Sequence, residues 1–260
     1  MFRALNVAAT GMAAQETQLD TIANNLANAN TTGYKTQRVE FEDMLYQNAR
    51  APGPNASGNV TPTAVQVGTG VRILATARTF TQGTLQQTGN QLDIAIEGQG
   101  FLPVTQASGE VAYTRAGSLK LDAQGRLATS DGLLLSPPIS IPTTATSVTI
   151  AADGTVSVVQ QGSTASTSAG QIQLASFPNP NGLTSIGHNL FIPSSASGDA
   201  TTGAPATNGL GTIQQGSIEA SNVDVVNEMV AMIQAQRSYE INSKVISAAD
   251  EMLRDATQNQ

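Results

Sequence analysis

Residues 2–29 read FRALNVAATGMAAQETQLDTIANNLANA, and this stretch decides how the chain folds. Large apolar residues recur in it at seven-residue spacing, with one more placed three positions on: Leu5, Met12, Leu19, Ile22 and Leu26. A narrow apolar stripe leaves water only when it packs on another helix. The spacing therefore predicts a helix from about Phe2 to Ala29 that needs a helical partner. The alternative is an ordinary amphipathic helix packed on its own domain.

A second series with the same spacing lies at the other end of the chain: Val225, Met232, Tyr239, Ile246 and Leu253. The run Ser221–Asp224 precedes it, where the Ser hydroxyl can cap a helix start and the Asp carboxylate can reach back. We expect the two helices to form one discontinuous coiled-coil module from residues 1–33 and 221–260. Because such stripes can also pair between copies, the ends predict self-assembly.

The middle of the chain is predicted to be an antiparallel β domain. Leu92–Glu97 and Gln171–Leu174 alternate apolar and polar residues, as half-buried strands do. Four short turn signals interrupt the alternation: Ser108-Gly109, Gln124-Gly125, Asp131-Gly132 and Asp153-Gly154. The sequence thus predicts an α+β fold in which a β-rich outer domain, residues 71–209, is inserted between the helices.

Residues 34–70 and 210–220 are predicted to connect these parts. The first connection is rich in turn formers, including Pro52, Gly53, Pro54 and Pro62. A flexible loop is one interpretation of this composition. The other interpretation is an extended arm laid on a neighbouring subunit. Because each proline fixes one backbone angle, ordering such an arm would cost less conformational entropy than ordering most loops.

Composition excludes several classes of protein. A formal net charge of −7 disfavours a surface that binds nucleic acid. The chain has no cysteine, which excludes disulfides and thiolate chemistry. No apolar run resembles a signal peptide or reaches the length of a membrane span. These features predict a cytosolic protein, or one exported without a cleavable signal and without insertion into a membrane.

The sequence predicts no catalytic, cofactor-binding or metal-binding residues. His188 is the only histidine and lies at an apparent turn. Asp122, Asp131 and Asp153 are far apart and lack the spacing of a calcium loop. We interpret all four as turn or surface residues. A β-rich surface or cell-wall enzyme acting through His188 or an aspartate, and a glycan-binding module, remain alternatives from other classes, although the absence of Trp weakens the second.

Three groups of motifs resemble one protein family. The first is a signature after the N-terminal series: Asn24, Asn25, Leu26, Asn28, Gly33, Tyr34 and Lys35. The second lies near the C-terminus, in Ser221–Asp224 and Gln236–Lys244, and the third in Leu92–Phe101 and Tyr113–Ser118. Together they resemble the bacterial flagellar basal-body rod and hook proteins over nearly the whole chain.

The resemblance implies a structural subunit and no enzyme. A length of 260 residues and the segment after the first helix favour the distal rod, a straight hollow drive shaft that also forms part of the export channel. A proximal rod or hook subunit is the alternative. The implied partners are copies of the chain, proximal rod and hook subunits and their junction, the P-ring and L-ring bushings, and the flagellar type III export machinery. The implied location is the basal body, spanning the periplasm.

Overall fold

The computed structural model describes residues 2–50, 53–54, 60–61, 63–162 and 165–258. The chain divides into two compact units. The helical unit contains Met1–Leu26, Gln37–Ala77 and Asp224–Gln260, and the β unit contains Ala27–Thr36 and Arg78–Val223. Terminal helices flanking a mostly antiparallel β region confirm the predicted α+β fold class.

The helical unit consists of two long helices and a set of short strands. Its elements are α1 (Phe2–Ala27), β1 (Gln37–Asp43), β2 (Gln47–Arg50), β3 (Gly53–Pro54), β4 (Val60–Thr61), β5 (Val65–Val67), β6 (Val71–Arg78) and α2 (Val225–Gln258). Helix α1 ends at Ala27, within two residues of the predicted end.

Two contacts show how the helices meet. A Cβ built on Gly11 would lie 3.1 Å from Nδ2 of Asn242, and Nδ2 of Asn25 lies 3.3 Å from Oε1 of Glu228. Asn25 follows Gly11 by 14 residues, and Glu228 precedes Asn242 by 14. The helices therefore run antiparallel, and Gly11 allows the close approach because it has no side chain.

The strands of the helical unit pair in narrow ribbons. β1 pairs with β6, β2 pairs antiparallel with β5, and β3 pairs antiparallel with β4. Gly53 and Pro54 thus take part in a backbone ladder with Val60 and Thr61. Pro52 and Pro62 lie outside the described residues.

The β unit holds the remaining strands and one 3₁₀ turn. Its elements are β7 (Leu85–Gln87), β8 (Ile94–Glu97), β9 (Leu102–Thr105), β10 (Val111–Thr114), β11 (Leu119–Leu121), β12 (Leu127–Thr129), β13 (Leu134–Leu135), β14 (Ala145–Ile150), β15 (Thr155–Gln160), β16 (Ser166–Gln171), β17 (Leu174–Ser176), the 3₁₀ turn Pro180–Gly182, β18 (Thr184–Gly187), β19 (Leu190–Ile192), β20 (Thr201–Gly203), β21 (Thr212–Gln215) and β22 (Ser217–Glu219).

The largest sheet of the β unit has seven strands in the order β11-β12-β13-β9-β10-β19-β18. A three-stranded sheet, β14-β15-β16, and the pairs β17–β20, β8–β21 and β7–β22 complete it. The main core is aliphatic, with Ile94, Leu102 and Leu127 fully buried. A second cluster packs Phe101 edge-on against Phe80, Phe177 and Phe191 at ring distances of 5.5–6.0 Å.

The predicted hairpin turns are confirmed. The glycines of all four turn signals have a positive φ, between 76° and 88°. They lie in the β9–β10, β11–β12, β12–β13 and β14–β15 connections, each of which joins antiparallel partners. Local turn chemistry therefore fixes four connections of this unit.

Candidate assembly interface

The predicted apolar series of α1 faces inward. Ile22 is buried, and the other four residues are half-buried: Leu5, Met12, Leu19 and Leu26. Small residues complete this packing, since Ala8 and Ala14 are 6% and 4% exposed. The predicted series of α1 is therefore mostly covered within the single chain, whereas Phe2 and Val7 on the same helix are exposed.

The predicted series of α2 is only partly covered. Met232, Ile246 and Leu253 are half-buried, while Val225 and Tyr239 are 41% and 42% exposed. Two small residues on the same inward face, Ala235 and Ala249, are almost fully buried. The seven-residue spacing thus located the inward face of α2, but two of the residues that it selects, Val225 and Tyr239, are exposed.

A second apolar face of α2 is exposed, and the seven-residue series did not predict it. Its members lie on one side of the helix: Val226, Met229, Val230, Ile233, Ile241, Val245 and Met252. Their exposures range from 44% to 70%. At 3.6 residues per turn, this face lies nearly opposite the stripe that contacts α1. A helix that is apolar on two sides lacks a partner on one of them.

The strands beside the helices also expose apolar residues. Leu45 is 90% exposed, Leu74 59% and Tyr46 54%. They lie on β6 or between β1 and β2, in a region built from two-stranded ribbons. Since an isolated two-stranded ribbon is at best marginally stable in water, this surface needs a cover.

The start of α2 differs from the prediction. Asp224 is the capping residue, because its Oδ1 accepts hydrogen bonds from the backbone N–H groups of Val226 at 3.0 Å and Asn227 at 3.2 Å. The Ser221 hydroxyl instead accepts from the N–H of Val223, within the segment before the helix. The prediction that Ser221 caps the helix is wrong, since both residues are good caps and the backbone selects the second.

The signature residues are divided between the two units. In the helical unit, Asn24 is exposed, whereas Asn25 is buried and binds the backbone of Gln37 twice: its Nδ2 donates to the carbonyl at 2.8 Å and its Oδ1 accepts from the N–H at 2.9 Å. Asn25 also donates to Glu228, so it joins α1 to β1 and α2. In the β unit, Asn28 stabilises the turn after α1 by accepting from the Thr31 hydroxyl at 3.1 Å.

Gly33 occupies a position that only glycine fits. Its φ is +70°, and a built Cβ would lie 2.8 Å from the backbone N of Ala116. Its N–H donates to the carbonyl of Glu219 at 2.8 Å. Tyr34 follows and is buried, with the guanidinium of Arg78 5.7 Å from its ring centre. The signature therefore seats this segment against the β unit.

Lys35, Arg115 and Glu219 form a buried charge hub. Oε1 of Glu219 accepts from Nζ of Lys35 at 2.6 Å, and Oε2 accepts from Nε of Arg115 at 3.0 Å. The side chains of Lys35 and Glu219 are 0% exposed and that of Arg115 is 5% exposed. Lys35 and Arg115 lie within the motifs described above, whereas no local pattern in the sequence marks Glu219.

Backbone carbonyls accept further hydrogen bonds from the two cations of the hub. Lys35 also donates to the carbonyl of Thr81, and Arg115 donates to the carbonyls of Gly98 and Gly100. Burial lowers the pKa of Lys35, while its hydrogen bond to Glu219 raises it and so opposes the effect of burial. Removal of the single carboxylate would leave two buried cations without an anion.

One carboxyl group between the helices has a raised pKa. Partial burial raises the pKa of Glu228. The hydrogen bond from Asn25 lowers this pKa, and the nearby charge of Asp224 raises it, so that the net effect is a rise. The charged form of Glu228 is therefore less favourable in the folded helical unit than in the unfolded chain.

His188 lies in a surface turn of the β unit. It and Asn189 have φ values of 53° and 56° in the β18–β19 connection, and its side chain is 74% exposed. Its Nδ1 lies 3.8 Å from a carboxylate oxygen of Asp131. Within the described part of the chain, no three His, Asp or Glu side chains group closely enough to bind a metal ion. None of the described helices is long and apolar enough to span a bilayer.

Three family models match the chain. The flagella basal body rod protein model matches residues 5–35, the flagellar hook protein FlgE/F/G D1 domain matches residues 95–158, and the flagellar basal body rod FlgEFG protein C-terminal model matches residues 214–259. The first covers α1 from residue 5 onward and the signature up to Lys35, and the last covers Glu219 and α2.

Full-length relatives agree with these matches. The flagellar basal-body rod protein FlgG of Caulobacter vibrioides is 50% identical over 258 residues, which is 98% of each chain. The proteins of the same name from Borreliella burgdorferi and Bacillus subtilis are 47% and 40% identical, over 97% and 98% of each chain. These relatives are structural proteins rather than enzymes, and the chain belongs to the family of flagellar basal-body rod proteins.

Proposed function

We propose that the chain is the subunit of the distal rod, which polymerises into a straight hollow helical tube. The tube transmits torque from the motor to the hook and forms part of the export channel. The observation that carries this proposal is the exposed apolar face of α2, together with relatives named as rod proteins along the full length. Each large aliphatic residue on such a face contributes about 1.5 to 3 kcal/mol when a neighbour covers it fully.

The two terminal helices act as a coiled-coil module in this proposal. The antiparallel contacts at Gly11 and Asn25 are separated by two heptads, which supports a regular repeat along the pair. The residues proposed to mediate helix packing and assembly are those of the two predicted series, extended by the exposed face of α2.

The segment around Pro52, Gly53, Pro54 and Pro62 acts as a stiffening arm. The exposed Leu45 and Tyr46 next to it support this role, because contact with a neighbouring subunit would remove them from water. An arm shared between subunits would resist bending of the tube.

The remaining partners and the location follow from the role. They are the proximal rod, the hook and its junction, the P-ring and L-ring bushings, and the type III export machinery, which would deliver the subunit without a cleavable signal. The rod would span the periplasm. A proximal rod or hook subunit is the second candidate, since one matching family model covers hook and rod proteins together.

Electron microscopy of the purified, concentrated protein tests the proposal. We expect straight hollow tubes from the unaltered chain, and none from a variant carrying Val230→Glu and Ile233→Glu. Ser243→Glu is the matched control, because Ser243 is exposed on α2 but lies on neither apolar face. Curved tubes would favour a hook subunit, and tubes that tolerate both glutamates would contradict the proposed face.

A further inference from the structure

A cavity of about 240 Å³ lies beside the charge hub in the β unit. Three phenylalanines line it: Phe80, Phe101 and Phe177. Their rings pack edge to face, with Phe101 at 5.5 Å from Phe80 and 5.8 Å from Phe177. Because an apolar cavity of about 150 Å³ already holds benzene, this one has room for an aromatic ring with a polar substituent. An added ring would continue the edge-to-face packing.

The polar side of the cavity is built around Arg115, which also lines it. Gly98 and Gly100 lie in the same wall, and their carbonyls accept from Nη1 of Arg115 at 3.0 and 2.6 Å. Both glycines have a positive φ, 107° and 137°, which favours glycine over other residues. This loop therefore holds the guanidinium against the cavity, although the side chain is only 5% exposed.

One N–H group of this guanidinium is not used within the described part of the chain. A guanidinium has five N–H donors. Nε donates to Glu219 and Nη1 to the two carbonyls, whereas Nη2 donates only to the carbonyl of Gly98. The side-chain amide of Gln99 and the hydroxyl of Ser176 also line the cavity, and among the described residues neither has a hydrogen-bond partner. Three polar groups are thus available to a ligand.

The hub beside the cavity has one cation more than it has anions. Lys35 and Arg115 share the single carboxylate of Glu219, and the three side chains are at most 5% exposed. Burial lowers the pKa of Lys35, and the charge of Arg115 lowers it further, while Glu219 is the only acid among the described residues that raises it. Because a buried charge without a counter-ion is costly, an anion next to Arg115 would be favoured.

We propose that this cavity binds a small molecule that carries a carboxylate on an aromatic ring. The carboxylate accepts from the remaining N–H of Arg115 and supplies the negative charge that the hub lacks, while the ring packs against the three phenylalanines. All the lining residues belong to the β unit, so the site is complete within one unit of one chain. The proposal does not depend on the rod function.

Binding at this site should stabilise the two segments that the hub joins. Lys35 lies in the segment after α1 and Glu219 lies before α2, and the N–H of Gly33 donates to the carbonyl of Glu219. An anion that neutralises the hub therefore holds both segments more firmly to the β unit. Since a ligand that binds only the folded state stabilises it, the melting temperature should rise with ligand concentration.

Titration of the full chain with benzoate, followed by amide NMR in dilute solution, tests the proposal. We expect saturable shifts at Gly98, Gly100 and Phe101, with a dissociation constant of about 1 mM or lower, as a ligand of this size allows. Benzyl alcohol and benzylamine have nearly the same shape but are neutral and positively charged. Because a charged acceptor makes the stronger hydrogen bond, benzyl alcohol should bind at least about 10-fold more weakly, and benzylamine should not bind.

A variant that fills the cavity is the second test. Ser176→Leu places a larger side chain in the wall, removes no hydrogen bond of the hub and should abolish the benzoate shifts. Ser166→Leu, at an exposed position of β16, is the matched control and should bind benzoate as the unaltered chain does. The amide spectrum shows whether each variant keeps its fold. If Ser176→Leu does not fold, the comparison of the three ligands decides alone.

Three results would overturn the proposal. They are the absence of saturable shifts, shifts that persist in folded Ser176→Leu, and equal affinity for benzoate and either of its analogues. Binding is measured on the unassembled chain, so such a result leaves the rod function standing. Failure of the chain to form tubes would, in turn, contradict the rod function and leave this site unaffected.

Discussion

The two units of the chain differ in what they bury: the β unit buries charged side chains, whereas the helical unit leaves large apolar side chains exposed. The β unit buries Lys35 and Glu219 completely and satisfies both with hydrogen bonds. The helical unit leaves Val226 70% exposed on a helix whose other side is packed. The β unit thus closes its charged groups inside a packed core, whereas the helical unit exposes an apolar surface, which the proposed assembly would cover.

Removal of the Glu219 carboxylate should reduce the stability of the β unit more than any other change proposed below. We expect Glu219→Ala to destabilise the β unit by about 3–5 kcal/mol, because two buried cations lose their anion. Denaturant unfolding measures the loss, and Glu110→Ala, at an exposed carboxylate, is the control. A loss no larger than that of the control would mean that the hub contributes little to the stability of the β unit.

Gly33→Ala should destabilise the β unit by about 2 kcal/mol or more, because alanine would be strained at a positive φ and its Cβ would clash with the backbone. Gly109→Ala is the matched control, since its φ of +88° is similar but a built Cβ meets nothing within 4 Å. The difference between the two thermal shifts isolates the clash. Equal shifts would show that residues 27–36 are not held tightly against the β unit.

Asp224→Ala should cost about 1 kcal/mol by removing the cap of α2. Hydrogen exchange at Val226 and Asn227 should accelerate, because their N–H groups lose an acceptor. Ser221→Ala, at the position that the sequence favoured, should change these two amides much less. Faster exchange in the Ser221 variant than in the Asp224 variant would restore the original prediction.

Glu228→Gln should give the smallest effect, a few tenths of a kcal/mol after solvent screening. Because folding raises the pKa of Glu228, its protonated form stabilises the helical unit below the usual pKa of 4.5, and this gain is lost as pH rises through the folded value. The glutamine variant should therefore be more stable than the unaltered chain at pH 7 and equal to it below pH 4.5. Glu240→Gln, at an exposed glutamate of the same helix, is the control, and an equal gain from it would contradict the account.

Local signals explain what could be predicted from the sequence. Seven-residue spacing located both helices, and turn glycines such as Gly109 marked hairpins, because each depends on neighbours within a few positions. The hub could not be found in this way, since Lys35 and Glu219 are 184 residues apart and a single lysine usually lies in solvent.

The exposed apolar face of α2 was not predicted, for a similar reason. A strict heptad includes Tyr239, which is 42% exposed, and omits Val230 and Ile233, which lie on the opposite side of the same helix. The sequence does contain the second stripe at spacings of three and four, but only packing against α1 shows which stripe remains exposed.

Hydrogen exchange on dilute and assembled protein tests the central claim most directly. The claim is that the helical unit is completed by other copies, while the β unit is complete alone. Assembly should slow exchange along α2 between residues 226 and 252 and leave residues 94–213 nearly unchanged. Slower exchange confined to the β unit, with α2 unaffected, would contradict the account.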